Sequence, residues 1–140
     1  IRDGEIGRLI GNVDPLGTNI VALHHPLQHL PRVTKVPARR ASEALYRLEA
    51  SGVHVILSGH LHRWAVDELL VTGRHPRLLQ IQTGTALCAR VSDMRNEFVV
   101  IDVDGPALTL ERHVAPMESR DFDAPEIARY SRASGVWRRV

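Results

Sequence analysis

The sequence is poor in aromatic residues and in cysteine. Only 4% of its 140 residues are Phe, Trp or Tyr, so a core must be built mainly from Val, Leu, Ile and Ala, which favours a sheet-rich interior. Cys88 has no second cysteine to pair with, which excludes an intrachain disulfide and a zinc site built on several cysteines. This cysteine usage fits a reducing compartment, so we expect a cytoplasmic location.

Long apolar runs and an excess of one charge are also missing. No apolar stretch approaches the roughly 20 residues of a membrane-spanning helix, so we expect no membrane partner. The 18 Lys and Arg against 16 Asp and Glu give a net charge of +2, which makes no electrostatic case for nucleic acid as a partner. With 44% hydrophobic and 24% charged residues the composition is that of an ordinary globular domain, and it leaves the oligomeric state open.

The first half of the chain predicts a strand, a helix and a second strand. The apolar run Asn19–Leu23 is typical of a buried strand, and residues 38–50 place apolar side chains at helical spacing. A left-handed cap at Gly52 and another apolar run, Val53–Ser58, follow. The stretch before Asp14 is interpreted as a connection. In such a βαβ unit the two strands run parallel and end at the same edge of the sheet.

The second half predicts an antiparallel meander. Its short alternating or apolar runs are separated by Gly or Asn, as in successive hairpins, and they span residues 65–71, 78–83, 85–91, 97–103 and 107–114. Residues 1–116 are therefore interpreted as one domain unit. Residues 117–140 are expected to form an Arg-rich surface tail with a short helix near 125–132. The predicted fold class is α/β, a βαβ unit followed by the meander.

Histidines follow both strands of the predicted βαβ unit. His-His-Pro stands at residues 24–26 and Gly-His-Leu-His at residues 59–62. Ligands of open α/β sheets bind beyond the carboxyl ends of the strands, and neutral imidazole is a common ligand of divalent metals. In an extended segment His60 and His62 would point to the same side, and Gly59 would let the backbone pass close beneath an ion. The two motifs therefore predict a metal site.

Both motifs resemble those of the calcineurin-like metallophosphoesterases. The resemblance continues through residues 82–86 and 96–98 and covers residues 19–114. It implies the C-terminal half of a metallophosphoesterase α/β sandwich with two divalent metal ions, for which Mn, Fe or Zn would be suitable. It implies that His24 and His60 ligate one ion and that His62 ligates the other. His25 would lie behind the ligands or in the cleft wall, and it is the candidate catalytic residue.

The resemblance also implies hydrolysis of a phosphomonoester or phosphodiester, with a metal-held hydroxide attacking phosphorus. The local pattern is similar to that of cyclic-nucleotide phosphodiesterases, so a cyclic nucleotide is one expected substrate. Three earlier motifs of the family, Asp-x-His, Gly-Asp-x-x-Asp and Gly-Asn-His-Asp/Glu, do not occur in these residues. We therefore expect the chain to be a fragment that supplies the His-rich half of a site and is inactive alone. The alternative is a non-catalytic calcineurin-like fold that acts as a binding module.

Other residues have simpler interpretations. Four histidines are expected to be structural, namely His29, His54, His75 and His113. Four basic residues either steer an anionic substrate or form a solvated face, namely Arg32, Lys35, Arg39 and Arg40. Cys88 is interpreted as a small core residue. Trp64 either stacks on a substrate ring or covers the sheet edge.

Overall fold

Two helices and two sheets make up the part of the chain that the computed structural model describes, residues 1–28, 37–66, 77–86, 95–116, 119 and 121–140. The elements in chain order are α1 (Asp3–Ile10), β1 (Asn19–Leu23), α2 (Ala41–Ala50), β2 (Val53–Ser58), β3 (Leu79–Gln82), β4 (Arg95–Asp104), β5 (Ala107–Pro116), β6 (Glu126–Ser131) and β7 (Arg138–Arg139).

The first sheet is parallel, with β2 between β1 and β3. Leu23 lies opposite Ser58, and Ser58 lies opposite Gln82, so the carboxyl ends of all three strands meet at one edge. The βαβ unit is confirmed. Its helix begins three residues later than predicted, after Arg40. Gly52 follows with φ of 88°, the left-handed conformation expected of a glycine that ends a helix.

The second sheet is antiparallel in the order β4-β5-β6-β7, which confirms the meander for β4 and β5. The run 78–83, predicted as part of this meander, is a correction, because β3 pairs in parallel with β2. All four residues of β3 are buried, which is typical of a strand covered on both faces. The predicted strands 65–71 and 85–91 fall mostly outside the described residues.

The end of the chain is a further correction. The segment near 125–132, expected to be a helix in a surface tail, is strand β6, and it pairs with β5. Tyr130 and Trp137 are only 1% and 5% exposed. The indole Nε1 of Trp137 also donates a hydrogen bond of 2.8 Å to the carbonyl oxygen of His54. The sheet therefore extends beyond residue 116, while the division of the chain at that residue stays a prediction.

The two sheets and the helices pack as three layers. Leu45 and Leu48 of α2 and Ile6 of α1 bury one face of the parallel sheet. The other face packs against the meander, where Val55 and Ile81 share a core with a group of residues from the second sheet, Leu108, Leu110, Tyr130 and Trp137. Neither helix in the described ranges has the length and apolar character needed to cross a bilayer.

Helix α1 occupies part of the stretch that was predicted to be a connection. It has only eight residues, two of them Gly, so its sequence signal is weak. Long-range ion pairs hold it against α2: Asp3 lies 2.8 Å from Arg40 and 3.0 Å from Arg47. The guanidinium of Arg40 lowers the pKa of the Asp3 carboxyl by hydrogen bonding to it. Contacts across 37 and 44 residues therefore fix this helix.

Candidate metal site

Three histidines meet at the carboxyl edge of the parallel sheet. His24 and His25 follow β1, and His60 follows β2, so the parallel pairing of the two strands brings them together. One ring nitrogen from each lies within 4.8 Å of the other two. The ring centroids of His25 and His60 are 4.1 Å apart, and those of His24 and His25 are 4.7 Å apart. We call these three residues the histidine cluster.

The spacing of the histidine cluster fits a metal ion. Nδ1 of His60 lies 3.1 Å from Nε2 of His24. An ion that binds nitrogen at about 2.1 Å separates adjacent nitrogen ligands by about 3.0 Å in octahedral and about 3.4 Å in tetrahedral geometry. The observed distance lies between these values, so the two nitrogens can share one ion without rearrangement of the backbone. His24 and His25 are exposed and His60 is half-buried, so an ion from solvent can reach them.

The backbone that carries His60 is held in an unusual conformation. His60 has φ of 70° and His62 has φ of 55°, both in the left-handed region that residues other than Gly rarely adopt. The Leu61 N–H donates a hydrogen bond of 2.8 Å to the Gly59 carbonyl oxygen, closing a tight turn between them. Such strain costs about 1–3 kcal/mol per residue and is concentrated at functional sites. This turn therefore gives a second reason to place a function here.

Gln82, at the end of β3, holds this turn from beneath. Its side chain is fully buried, and its Nε2 donates hydrogen bonds to the carbonyl oxygens of Gly59 (2.5 Å) and Thr83 (2.9 Å). Its Oε1 accepts a hydrogen bond of 3.0 Å from the Ser58 hydroxyl. The sequence analysis did not single out Gln82 by itself. The available signal was an amide within an otherwise apolar four-residue strand.

A buried ion pair fixes the next turn along the same edge. Glu97, 2% exposed, accepts a hydrogen bond of 2.6 Å from the Gly84 N–H and two more from Arg112. The guanidinium carbon of Arg112 lies 5.0 Å from the centre of the Trp64 ring. Trp64 therefore packs against a cation of the second sheet, which favours its structural interpretation. Glu97 belongs to the 96–98 segment noted for its resemblance, but its role as an anchor was not predicted.

An apolar pocket adjoins the histidine cluster. Its volume is about 390 Å³, and His24 and His25 contribute to its wall together with Ile1, Leu9 and other residues, namely Glu5, Ile6, Leu23, Leu27 and Ala38. The cluster thus lies beside a space large enough for an organic group.

Comparison with known proteins gives distant similarity only. No family model matches the chain, and no curated protein matches it. Among solved structures, Vps29 from Entamoeba histolytica in complex with Zn²⁺ is similar, with 18% identity and a TM-score of 0.44 over 71% of this chain and 51% of that one. A single mutant of Vps29 from the same organism gives 18% identity and a TM-score of 0.40 over 72% and 51%. The chain thus spans about half the length of these proteins. At such TM-scores the similarity carries no argument for function, which rests below on the residues of this chain.

The structure places the predicted site residues unequally. His24 and His60 come together as the parallel strand ends predict, and His25 joins them. His62 is not a member of this group. The prediction that it shares a side with His60 assumed extended backbone, whereas both residues are left-handed. The metal-binding and catalytic roles of all four stay predictions.

Gly59 also differs from its predicted role. It has no positive φ, and a Cβ at this position would meet only the Thr83 hydroxyl, at 3.9 Å. The turn therefore depends on the two left-handed histidines rather than on the glycine. Several residues weighed from the sequence lie outside the described residues, namely His29, Arg32, Lys35, His75 and Cys88.

Proposed function

We propose that the histidine cluster binds a divalent metal ion, and that it is the His-rich half of a dinuclear metallophosphoesterase centre. The observation that carries the proposal is the 3.1 Å separation of the His24 and His60 ring nitrogens at the ends of two neighbouring parallel strands. Neutral imidazoles suit Mn, Fe or Zn. In the described residues no carboxylate belongs to this cluster, so the ligand that bridges two ions would come from elsewhere.

The proposed reaction is the hydrolysis of a phosphomonoester or phosphodiester. Bound ions would supply a hydroxide nucleophile and neutralise charge on the phosphoryl oxygens. His24 and His60 would hold one ion, and His62 would hold the second, after a change in the conformation of its turn. His25 is exposed at the mouth of the site, where its ring nitrogen can give a proton to the leaving oxygen.

The substrate proposal follows from the space beside the cluster. The apolar pocket wall that includes His24 and His25 suits the uncharged part of a phosphoester, while the metal holds its phosphoryl group. A cyclic nucleotide, with a planar base and a compact phosphodiester, is the substrate that we propose to test first. Simple aryl phosphates serve as general probes of the same reaction.

Metal binding is tested on the 140-residue chain itself. Mn²⁺ and Zn²⁺ are titrated by calorimetry into the parent chain and into His24→Ala, His60→Ala and His113→Ala variants. We expect the first two substitutions to weaken binding at least about tenfold, because each removes a ligand. His113 lies on the second sheet, so its substitution should leave affinity unchanged. Equal affinity in all four proteins would contradict the metal site.

Hydrolysis is tested on a longer protein. The coding sequence upstream of Ile1 is read, and the product of the extended frame is assayed with bis(p-nitrophenyl) phosphate, p-nitrophenyl phosphate and a cyclic nucleotide. We expect hydrolysis that is lost with a chelator and in the His60→Ala variant. A longer protein that binds metal through these histidines and hydrolyses none of these compounds would contradict the enzyme and support the binding module.

A further inference from the structure

We propose that a second pocket, at the opposite edge of the parallel sheet from the histidine cluster, binds the phosphate or carboxylate group of a small anionic ligand. Its wall includes Gly52, Val53 and His54 at the start of β2, whereas His60 follows the end of that strand. A strand rises about 3.3 Å per residue, so the two sites lie roughly 15–20 Å apart. We call this second space the basic pocket.

The basic pocket has the size of a ligand site and an excess of positive charge. Its volume is about 390 Å³, within the range of small-molecule sites. Arg77 and Arg132 line it, and Glu49 is the one acidic residue in its wall. Glu49 is already engaged, since its Oε1 accepts a hydrogen bond of 3.0 Å from the Arg77 backbone N–H. One positive charge is therefore left over in the wall.

Arg132 is the main reason to expect an anion. Its Nη2 donates a hydrogen bond of 2.9 Å to the Thr18 hydroxyl. Its Nε–H, by contrast, is buried and finds no acceptor among the residues that the structure describes. No carboxylate in that part of the chain forms an ion pair with this guanidinium either. Leaving a buried charged donor unpaired is costly, and an oxyanion in the pocket would supply both the acceptor and the charge.

His54 adds a neutral donor to the same wall. Its Nδ1 accepts a hydrogen bond of 3.1 Å from the Asn19 backbone N–H, so the neutral ring carries its proton on Nε2. The pKa of His54 is lowered by burial and by the positive charge of Arg132, which shows that this charge reaches across the pocket. Arg132 and His54 thus combine a charged donor with an uncharged one.

The test uses the isotope-labelled 140-residue chain in the presence of a chelator, so that no metal-bound anion contributes. Inorganic phosphate and acetate are titrated separately, with sodium chloride at equal ionic strength as the reference, and amide NMR signals are followed. We expect saturable shifts at Gly52, His54 and Gly135 with at least one of the two anions, and the anion that binds identifies the ligand class. Shifts that match those with chloride for both anions would overturn the proposal.

Charge variants separate specific binding from a general response to salt. Arg132→Gln should weaken anion binding at least about tenfold, because it removes a charge-assisted donor. Arg129→Gln removes the same charge from an exposed residue of β6 outside the pocket wall, and it should leave affinity within about twofold. Equal affinity in both variants would overturn the proposal.

A third variant guards against a loss of folding in Arg132→Gln. Glu49→Gln keeps the oxygen that accepts the Arg77 N–H and removes the opposing charge, so it should tighten anion binding by about twofold to fivefold. A folded Glu49→Gln variant with unchanged or weaker binding would contradict the basic pocket whatever happens at Arg132.

Discussion

Gln82 donates a hydrogen bond from its buried side chain to the carbonyl oxygen of Gly59, the residue before His60. An interior residue of the parallel sheet is thereby connected directly to the turn of the histidine cluster. Hydrogen bonds to the Ser58 hydroxyl and the Thr83 carbonyl complete the contacts of the amide. The position of His60 therefore depends on a residue that touches no ligand itself.

Replacing Gln82 by Leu should destabilise the protein by about 2–3 kcal/mol, because buried acceptors at Gly59 and Thr83 lose their donor. Metal affinity should fall as well, since the turn is released. Gln80→Leu is the matched control. Gln80 is buried in the same strand, and among the described residues its side chain has no hydrogen-bond partner. Chemical denaturation and metal titration of both variants check the prediction, and similar losses in the two would contradict it.

The left-handed turn predicts an unusual order of stabilities at His60. At φ of 70° the His60→Gly variant should be more stable than His60→Ala by about 1 kcal/mol, because Ala keeps a Cβ that disfavours this conformation. Both variants should bind metal equally weakly, since each lacks the imidazole. Thermal unfolding measures the difference. An Ala variant as stable as the Gly variant would show that residue 60 is not left-handed in solution.

The ion pairs of Arg112 predict a large contrast between two glutamates. The Glu97 side chain is 1% exposed, and Glu97→Gln should cost about 3 kcal/mol because it breaks a buried pair from one side. Glu126 contacts the same guanidinium at 3.0 Å, but its side chain is 62% exposed. Glu126→Gln should therefore cost less than about 1 kcal/mol. Urea denaturation of both variants tests this, and equal costs would contradict the assigned role of Glu97.

His54 predicts a pH dependence of stability. Burial, with a smaller contribution from Arg132, lowers the pKa of its imidazole from the ordinary 6.5. As the pH falls through 6.5 the unfolded chain takes up a proton that the folded protein takes up only at lower pH. The free energy of unfolding should therefore decrease on acidification below this value, until the folded-state pKa is passed.

The contribution of His54 is isolated by comparison with His54→Asn, whose side-chain oxygen can still accept the Asn19 N–H. The variant should lose this part of the pH dependence, whereas His113→Gln should retain it. Denaturation curves recorded from neutral to acidic pH provide the comparison. An identical pH dependence in the parent and His54→Asn proteins would contradict a lowered pKa.

The sequence predicted those parts of the fold whose signals are local. The spacing of Leu45 and Leu48 and the cap at Gly52 were sufficient for α2, and the two flanking apolar runs for β1 and β2. Strand β3 was assigned to the wrong sheet, because a short and fully buried run has no alternation that distinguishes a parallel strand from a hairpin strand. Helix α1 and strand β6 depend on distant contacts, such as Asp3 with Arg40 and Tyr130 opposite Leu108.

The same division applies to the candidate site. His24 and His60 were expected to meet because parallel strands end at one edge, and this follows from the order of elements alone. The separation of His62 from the cluster depends on two left-handed residues, which the sequence does not reveal. The supports at Gln82 and Glu97 act across neighbouring strands, so they become visible only when the pairing of those strands is known.

The most direct test of the account follows the histidine ring nitrogens by NMR while Zn²⁺ is added to the 140-residue chain. We predict that Nε2 of His24 and Nδ1 of His60 shift together and saturate, while the rings of His54 and His113 do not change. Signals from His25 and His62 then show which of them joins the ion. Ring signals of His24 and His60 that stay unchanged, or that shift no more than those of His54 and His113, would contradict the metal site.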